Sequence, residues 1–400
     1  MDLQATRRHG LTMAARPHGQ TMGAAARSLR LLHVVSSPQW SGAAMQVSIL
    51  AEGLTAKGHQ VSLMAPSSSE LSRRARAQGL SVVDLPAGLA GSARAARRAL
   101  GEGAHEIVHA HDRSALRAVA WSGIGSPAVR RIPCALTVRG DVGYSASAAP
   151  GRRLAARVSQ FWAASEWVWS ALVRAGVDED RISVLYSAVD LKRFSVAPPQ
   201  ARAMRAATRA AMGFADDDFV VGAARSLALG EGVEVLLEAC RRVRTGAEPP
   251  GEARIRLLIA GDGPHRAALE QEARRLDVGD VTFFTGQRDD MPDLMAALDC
   301  YVHPAPAGDG FPTALREAMA MSVPVVATDL MGIREIVDNG KQGLVVKPGD
   351  AEELARALMR LRRDLDFAHR LGRQGSLKVQ RYGVQAMVDR AEELYFRLVR

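Results

Sequence analysis

Cysteine is nearly absent from this chain: Cys134, Cys240 and Cys300 are the three in 400 residues, far apart and with no CxxC spacing. That excludes a disulfide-built scaffold and disfavours a cysteine zinc site; a reducing compartment is the simpler setting. Aromatic residues make up only 5%. No apolar run reaches the roughly 18 residues that a membrane-crossing helix needs. An acidic excess is missing too: Lys and Arg number 52 against 43 Asp and Glu, a formal net charge of +9. A basic balance raises nucleic acid as a partner, but neither a recognition motif nor interleaved aromatics accompany it here, so no nucleic acid is expected.

What is present is a globular composition, with 47% hydrophobic and 24% charged residues. Four hundred residues exceed one ordinary core, so two domains are expected. The charge is uneven. Residues 1–195 hold 24 Lys and Arg against 13 Asp and Glu, and the remainder holds 28 against 30. Arg73, Arg74, Arg76, Arg94, Arg97, Arg98, Arg152, Arg153 and Arg157 supply clusters in the basic half. Such faces attract anionic lipid or acidic glycans, although an arginine-rich composition with solvated faces gives the same count. Residues 1–28 are polar. Arg7-Arg8 has the form of a twin-arginine signal, but no apolar core follows before Leu31, and the stretch reads as a disordered basic extension.

Short apolar runs alternate with amphipathic segments, the pattern of parallel α/β domains. Leu31–Val35 reads as the first strand. Ser41-Gly42 opens a helix whose Val47, Leu50, Ala51 and Leu54 share a face, and Gly58 stops it. Val61–Met64, Ile107–His109 and Ala135–Val138 return as strands. Pro198-Pro199 ends this unit. A second begins at Val220–Gly222 and continues through Leu257–Ala260, Val281–Phe284, Cys300–Val302, Pro324–Ala327 and Leu344–Val346. Val384, Met387, Val388, Ala391, Leu394, Tyr395 and Leu398 form one stripe of a last helix. The expected organisation is an extension over 1–28, a Rossmann-like domain over 29–195, a linker over 196–212, a second Rossmann-like domain over 213–380, and a helix over 381–400 able to pack back on the first domain. Two such units enclose a cleft, with ligands at the carboxyl ends of their strands.

The most informative stretch is Asp309-Gly310-Phe311-Pro312-Thr313-Ala314-Leu315-Arg316-Glu317. Gly308 and Gly310 allow a sharp turn and the close approach of a ligand. Pro312 suits the first position of a helix, where no N–H bond is needed. The N–H groups of Thr313, Ala314 and Leu315 are then open to an anion, helped by the helix dipole. Glu317 lies one turn, about 5 Å, further along the axis, where its carboxylate suits the two hydroxyls of a ribose. Asp309, on the other side of the phosphates, suits the hydroxyls of a sugar. Gly261-Asp262-Gly263-Pro264 follows one buried strand. Gly286-Gln287-Arg288 follows the next, where backbone groups suit a nucleobase edge. Asp289-Asp290 has the pattern of a helix cap rather than of metal ligands. GxGxxG is absent at both strand–helix openings, which argues against a dinucleotide oxidoreductase.

In order and spacing these segments resemble the retaining glycosyltransferases of family four, the group 1 glycosyltransferases, which have the GT-B fold. The resemblance is carried by Ile259–Pro264 (IAGDGP), Val281–Pro292 (VTFFTGQRDDMP), Gly310–Ala320 (GFPTALREAMA), Pro324–Thr328 (PVVAT) and Gly343–Gly349 (GLVVKPG). The N-terminal half matches more loosely, through the Ser41-Gly42 helix, Lys57–Val61 (KGHQV), Ile107–Asp112 (IVHAHD), Ala164-Ser165-Glu166 and Tyr186–Asp190 (YSAVD). Roughly residues 30–395 are covered. The resemblance implies an α/β protein of two Rossmann-like domains facing across a cleft. It implies a nucleoside-diphosphate-sugar donor on the C-terminal domain, an acceptor on the N-terminal one, and transfer with retention of configuration. The nucleotide-sugar is then a co-substrate, and neither a cofactor nor a metal is required. Glu317 matches the family's ribose-binding Glu, and Asp309 occupies the position of its donor-sugar carboxylate. With Arg139 they are the expected catalytic residues. Ser41, Gly42, Arg225, Ser226, Gly261, Gly263, Arg288, Gly310, Phe311, Thr313, Ala314 and Leu315 are the expected donor-binding set.

The chain also departs from that family. Ser226 and Glu231 stand where an Arg and a Lys usually meet the diphosphate. Arg225 is one residue off, and on a strand that shift points a side chain to the opposite face. Glu231 opposes a diphosphate unless it is paired or turned away. Arg139 stands where a His usually follows the fourth strand; it cannot act as a base, but it suits an acidic sugar or a phosphate. His109 and His111 are expected to be structural. Asp309 is one methylene shorter than the usual Glu. The expected protein is a cytoplasmic glycosyltransferase that serves a glycan or lipid-linked acceptor in cell-envelope polysaccharide or lipopolysaccharide synthesis. Its basic half would lie peripherally on the inner face of the cytoplasmic membrane. A nucleotide-sugar-binding pseudoenzyme and a GT-B epimerase are the alternatives.

Overall fold

The computed structural model describes residues 27–101, 104–140, 149–245, 254–307 and 311–400; most of the N-terminal extension, together with Gly308, Asp309 and Gly310, lies outside these. Two parallel sheets organise the described chain. The first contains β1 (Arg30–Val34), β2 (Gln60–Ala65), β3 (Ser81–Asp84), β4 (Ile107–Ala110), β5 (Cys134–Val138), β6 (Gln160–Ala163) and β7 (Ile182–Val184), in the order β3-β2-β1-β4-β5-β6-β7. The second contains β8 (Phe219–Ala224), β9 (Ile255–Ala260), β10 (Thr282–Gly286), β11 (Cys300–His303), β12 (Val325–Thr328) and β13 (Leu344–Val346), in the order β10-β9-β8-β11-β12-β13. In each sheet the winding reverses beside the first strand, at β1/β4 and at β8/β11. Those are the points where the following loops part and leave a crevice.

Helices cover both faces of each sheet, so the strands are apolar in consecutive positions rather than alternately. Along β1, Leu31 joins the core beneath the helices Gly42–Ala56 and Val384–Leu398, while Leu32 and Val34 join the core on the other face. Along β8, Val221 and Val220 divide in the same way between two cores. The helix Gly42–Ala56 is capped by Ser41, whose Oγ accepts from the Ala44 N–H at 3.3 Å. The chain leaves it through Gly58 at φ 88°, a conformation that costs glycine little.

The last helix, Val384–Leu398, lies on the first domain. A Cβ on Gly53 would come within 2.3 Å of Val388 Cγ2, so the glycine lets the two helices meet closely. Lys57 and His59 both engage Glu392, the latter at 3.0 Å. Further ties join the domains. Val189 bridges Gly383. Arg316 donates to the Ser187 carbonyl. The Glu335 carboxylate accepts the Glu166 and Trp167 N–H groups at 3.0 and 2.9 Å. The helix Glu166–Arg174 is thus capped both by its own Ser165 and by a carboxylate from the opposite domain.

Candidate active site

A cavity of about 500 Å3 opens between the two sheets at the carboxyl ends of their strands. The first domain lines it with Trp40, Ser41, Gly42, Gln46, Arg74 and Arg139. The second contributes Arg225, Ser226, Glu231, Gln287, Arg288, Asp289, Phe311, Thr313, Ala314 and Glu317. Two helix starts face each other across it. A Cβ on Gly42 would lie 3.8 Å from Thr313 Oγ1. The second of these helices runs Thr313–Ala320, and Pro312 precedes it at the cap with ψ 127°, not at its first helical position. Proline in that extended conformation hands the first three helical N–H groups, those of Thr313, Ala314 and Leu315, to the cleft without using any. The Leu315 side chain is buried in the core, so only its backbone is available to the site.

Phe311 and Arg316 hold this helix start in place. The Phe311 ring packs 5.0 Å from those of both Tyr186 and Tyr382, and the Arg316 guanidinium lies 4.3 Å above it. Arg316 Nη2 also reaches the Phe311 carbonyl and Thr313 Oγ1, each at 3.4 Å. Burial lowers its pKa to about 10, opposed by Glu317 and Tyr382, so it remains a cation.

Glu317 is 6% exposed and lines the cavity. Burial pushes its carboxyl up to about 7; Arg316 and Arg193 pull it down and Asp190 pushes it further up. A carboxylate so placed is poised to accept two hydroxyls once a ligand's donors replace water. The nearby floor is the loop after β10. Arg193 donates to the Asp289 carbonyl, and Arg74 from the first domain reaches Asp289 Oδ1 at 3.3 Å. Asp290 sits at the start of the helix Met291–Ala297 but does not cap it with its side chain. Its two oxygens grip Arg288 instead, with Nε at 2.8 Å. That corrects the cap expected from Asp289-Asp290: competition from a neighbouring guanidinium is stronger than from a neutral N–H.

Arg225 corrects a second expectation. β8 ends at Ala224, so strand alternation does not govern the next residue, and both Arg225 and Ser226 line the cavity. Arg225 pairs with Glu231, and its Nη1 lies 3.2 Å from both ring nitrogens of His303. Glu231 therefore faces the cleft already matched to a cation. Gly261 and Gly263 are not part of the cavity wall. A Cβ on Gly261 would fall 1.8 Å from the Arg225 carbonyl, and one on Gly263 2.5 Å from that of Leu227. They let the loop carrying Arg225 and Ser226 lie flat on the β9 turn, so their place is beneath the site.

Arg139 follows β5, since the edge strand β3 adds one to the count expected from sequence. It touches His111, donating to the backbone carbonyl and to Nδ1, each at 3.4 Å. Behind it His111 Nε2 lies 2.9 Å from His33 Nδ1, and His33 Nε2 3.2 Å from Tyr395 Oη. Tyr395 Oη lies 2.7 Å from His109 Nδ1, and His109 Nε2 2.7 Å from Thr137 Oγ1. Neutral rings satisfy all of these contacts in one direction, from Arg139 to Thr137. Burial drives His33 down to about 3 and His109 and His111 well below the usual histidine range, with Arg139 pushing each the same way. The three imidazoles are close enough to chelate a cation, but every ring nitrogen is already committed and a guanidinium stands at the head of the chain. The cluster reads as structural support.

The structure therefore brings Ser41, Gly42, Arg139, Arg225, Ser226, Arg288, Phe311, Thr313, Ala314 and Glu317 to one cavity. Asp309 and Gly310 lie outside the described residues. Sequence reasoning missed Trp40, Arg74 and Arg193. Trp40 and Arg74 announce themselves only by contact, the guanidinium lying 4.3 Å over the indole ring. Arg193 follows three residues after Asp190 in a matched motif and was the most legible of the three.

Residues 218–364 match the family described as Glycosyl transferases group 1, and residues 40–193 match Glycosyltransferase Family 4. Among curated proteins, an exopolysaccharide phosphotransferase of Streptomyces coelicolor is 34% identical over 36% of this chain and 15% of its own length. The lipopolysaccharide core biosynthesis glycosyltransferase LpsE of Rhizobium meliloti is 31% identical over 40% of this chain and 44% of its own. The alignments span no more than about half the length of such relatives: 15% of the first and 44% of the second. In fold, HepE of Anabaena, solved with UDP and glucose, superposes with a TM-score of 0.78 at 20% identity, covering 92% of this chain and 99% of that one. The two facing Rossmann-like domains are thus the GT-B fold. With one half matched to each of the two family descriptions, the chain belongs to the group 1 glycosyltransferases of family four.

Proposed function

We propose that this protein transfers a sugar from a nucleoside-diphosphate-sugar to a glycan or lipid-linked acceptor in envelope polysaccharide or lipopolysaccharide synthesis. The carrying observation is Glu317: a buried carboxylate one turn inside a helix whose free N–H groups face a second helix start across the cavity. That arrangement suits ribose, then diphosphate, in one ligand. The UDP and glucose in HepE and the lipopolysaccharide role of LpsE support the same reading.

In this reading the two helix starts and Arg225 stabilise charge as the bond between the sugar's C1 and the diphosphate oxygen breaks. The acceptor oxygen bonds to C1 on the face the diphosphate leaves, and its proton passes to a leaving phosphate oxygen, so configuration is retained. No carboxylate of the first domain lines the cavity among the described residues, which favours this front-face route over a covalent one. The residues supply the charge stabilisation themselves, and the reading includes no metal.

Thermal-shift screening of UDP-, GDP- and ADP-sugars, followed by donor hydrolysis and transfer assays, tests the proposal. One donor series should stabilise the protein and release its nucleoside diphosphate, and Glu317→Ala should lose both. Stabilisation without release by the wild type would favour a binding protein; conversion of donor without acceptor would favour an epimerase.

A membrane-proximal acceptor is favoured by one surface. Trp121 and Ile124 are 51% and 60% exposed at the end of the helix Arg113–Ser122. Arg130 packs beside them, its Cγ 2.9 Å from where a Gly123 Cβ would sit, and Arg131 is also exposed. Apolar tips beside arginines suit an anionic bilayer surface.

A further inference from the structure

Among the described charged groups of the cavity, Arg139 stands out as a cation without a facing carboxylate. It is a part-buried guanidinium that lines the cleft, with its Nε shut away from solvent. Its contacts are two long ones to His111, and its Nε has no partner. No carboxylate lies within ion-pair distance of it among the described residues. Asp112 lends the charge some support from further away, but that carboxylate is committed. It accepts the Ser36 N–H at 2.7 Å, the Ser36 hydroxyl at 2.6 Å and the Ala115 N–H at 2.8 Å. A partly desolvated cation without an anion is unfavourable. Here the neutral histidine chain holds it in place and does nothing to neutralise it.

The cavity is the open side from which a ligand's anion can reach it. A donor's diphosphate is one source, and the group it carries is another. Position separates them. The diphosphate is provided for at Gly42, which meets Thr313, at the end of β1. Arg139 stands at the end of β5, two strands along in the order β1-β4-β5. At a strand spacing of about 4.8 Å that is a displacement of about 10 Å along the sheet edge, a sugar ring's breadth beyond the phosphates. Building on the donor-site reading above, we propose that Arg139 selects a donor whose sugar carries an anionic group, a uronate carboxylate in its simplest form. A planar guanidinium suits a carboxylate through paired hydrogen bonds. A neutral hydroxymethyl group at that place leaves the cation unmatched.

Calorimetric titration of the full chain distinguishes the sources. UDP and GDP are titrated first, then UDP-glucose against UDP-glucuronate and GDP-mannose against GDP-mannuronate. With the nucleotide that binds, the uronate should bind the wild type at least about tenfold tighter than the neutral hexose, the equivalent of about 1.4 kcal/mol. Arg139→Met should abolish that preference and leave the affinity for the bare nucleotide within about twofold. Arg139→Lys keeps a cation without the planar fork and should retain a reduced preference; it also serves if the methionine variant fails to fold. Equal or better binding of the neutral sugar by the wild type overturns the inference. So does an equal loss for the bare nucleotide in Arg139→Met, which would reassign the cation to the diphosphate. If neither UDP nor GDP binds and no UDP-, GDP- or ADP-sugar stabilises the protein, the donor-site reading falls and this inference falls with it.

Discussion

Arg225 and Glu231 form an ion pair in the wall of the cleft. The pair brings no net charge to the site. Glu231→Gln removes the negative charge and releases Arg225 from the carboxylate, and Glu231→Lys adds a cation. UDP or GDP should bind Glu231→Gln about tenfold more tightly, and Glu231→Lys at least as well. Titration calorimetry measures this. Unchanged or weaker binding would mean that Glu231 positions Arg225 rather than opposing the ligand.

Glu317 should make both stability and binding depend on pH. Its folded-state pKa of about 7 lies above the usual 4.5. Between these values the folded state holds a proton that the unfolded chain has lost, so stability falls as pH rises. The loss is complete above pH 7 and amounts to at most about 3 kcal/mol. Glu317→Gln should match the wild type at pH 4 and exceed it at pH 8, as read by denaturant titration. Nucleotide affinity should run the other way. The ionised carboxylate is the form that accepts ribose hydroxyls, so wild-type binding should strengthen up to about pH 7–8, whereas the glutamine variant stays flat.

Glu335 caps a helix in the other domain. Removing it in Glu335→Ala takes the carboxylate from the Glu166 and Trp167 N–H groups at a partly exposed interface. The expected cost is about 1–2 kcal/mol, with the first and second domains unfolding in more clearly separated transitions by differential scanning calorimetry. An unaltered thermogram would show that the cap is replaced by solvent.

The Trp121–Ile124 tip predicts a salt-sensitive membrane contact. Vesicles with anionic lipid should sediment the wild type at low ionic strength and release it as salt screens the arginines. Trp121→Ser with Ile124→Ser should weaken sedimentation even at low salt. Failure of the wild type to sediment at low salt would remove the membrane from this protein's account.

Much of the fold is legible in the sequence because buried parallel strands and capped helices leave strong local marks. Leu31–Val35, Ser41-Gly42 and Gly58 read correctly from apolar runs, a capping hydroxyl and a left-handed glycine. The strands Ser81–Asp84, Gln160–Ala163 and Ile182–Val184 were not picked out. All three are short, and Ser81–Asp84 and Ile182–Val184 are also the edges of the sheet, where the apolar pattern is weaker. In the site, the helix start after Phe311 was legible from proline and glycine punctuation. The Arg225–Glu231 pair was not, because where β8 stops is decided by its neighbours rather than by its own residues. Gly261 and Gly263 misled for a related reason: a glycine permits close approach without saying whether a ligand or another segment of chain makes it.

The docking of Val384–Leu398 on the first domain bears on how this protein is made. Met387, Val388, Ala391, Leu394 and Tyr395 belong to the same core as Leu31, Val47 and Leu50. On the ribosome, the first domain emerges complete in its strands long before that helix exists. An apolar face around Gly53 then stays uncovered while the whole second domain is synthesised. Domains commonly fold as units in order of synthesis, but this one can finish only after Val384–Leu398 has been made. A nascent chain stalled anywhere between the two domains would be a natural client for a chaperone, and a premature stop just before Val384 would damage the domain encoded first.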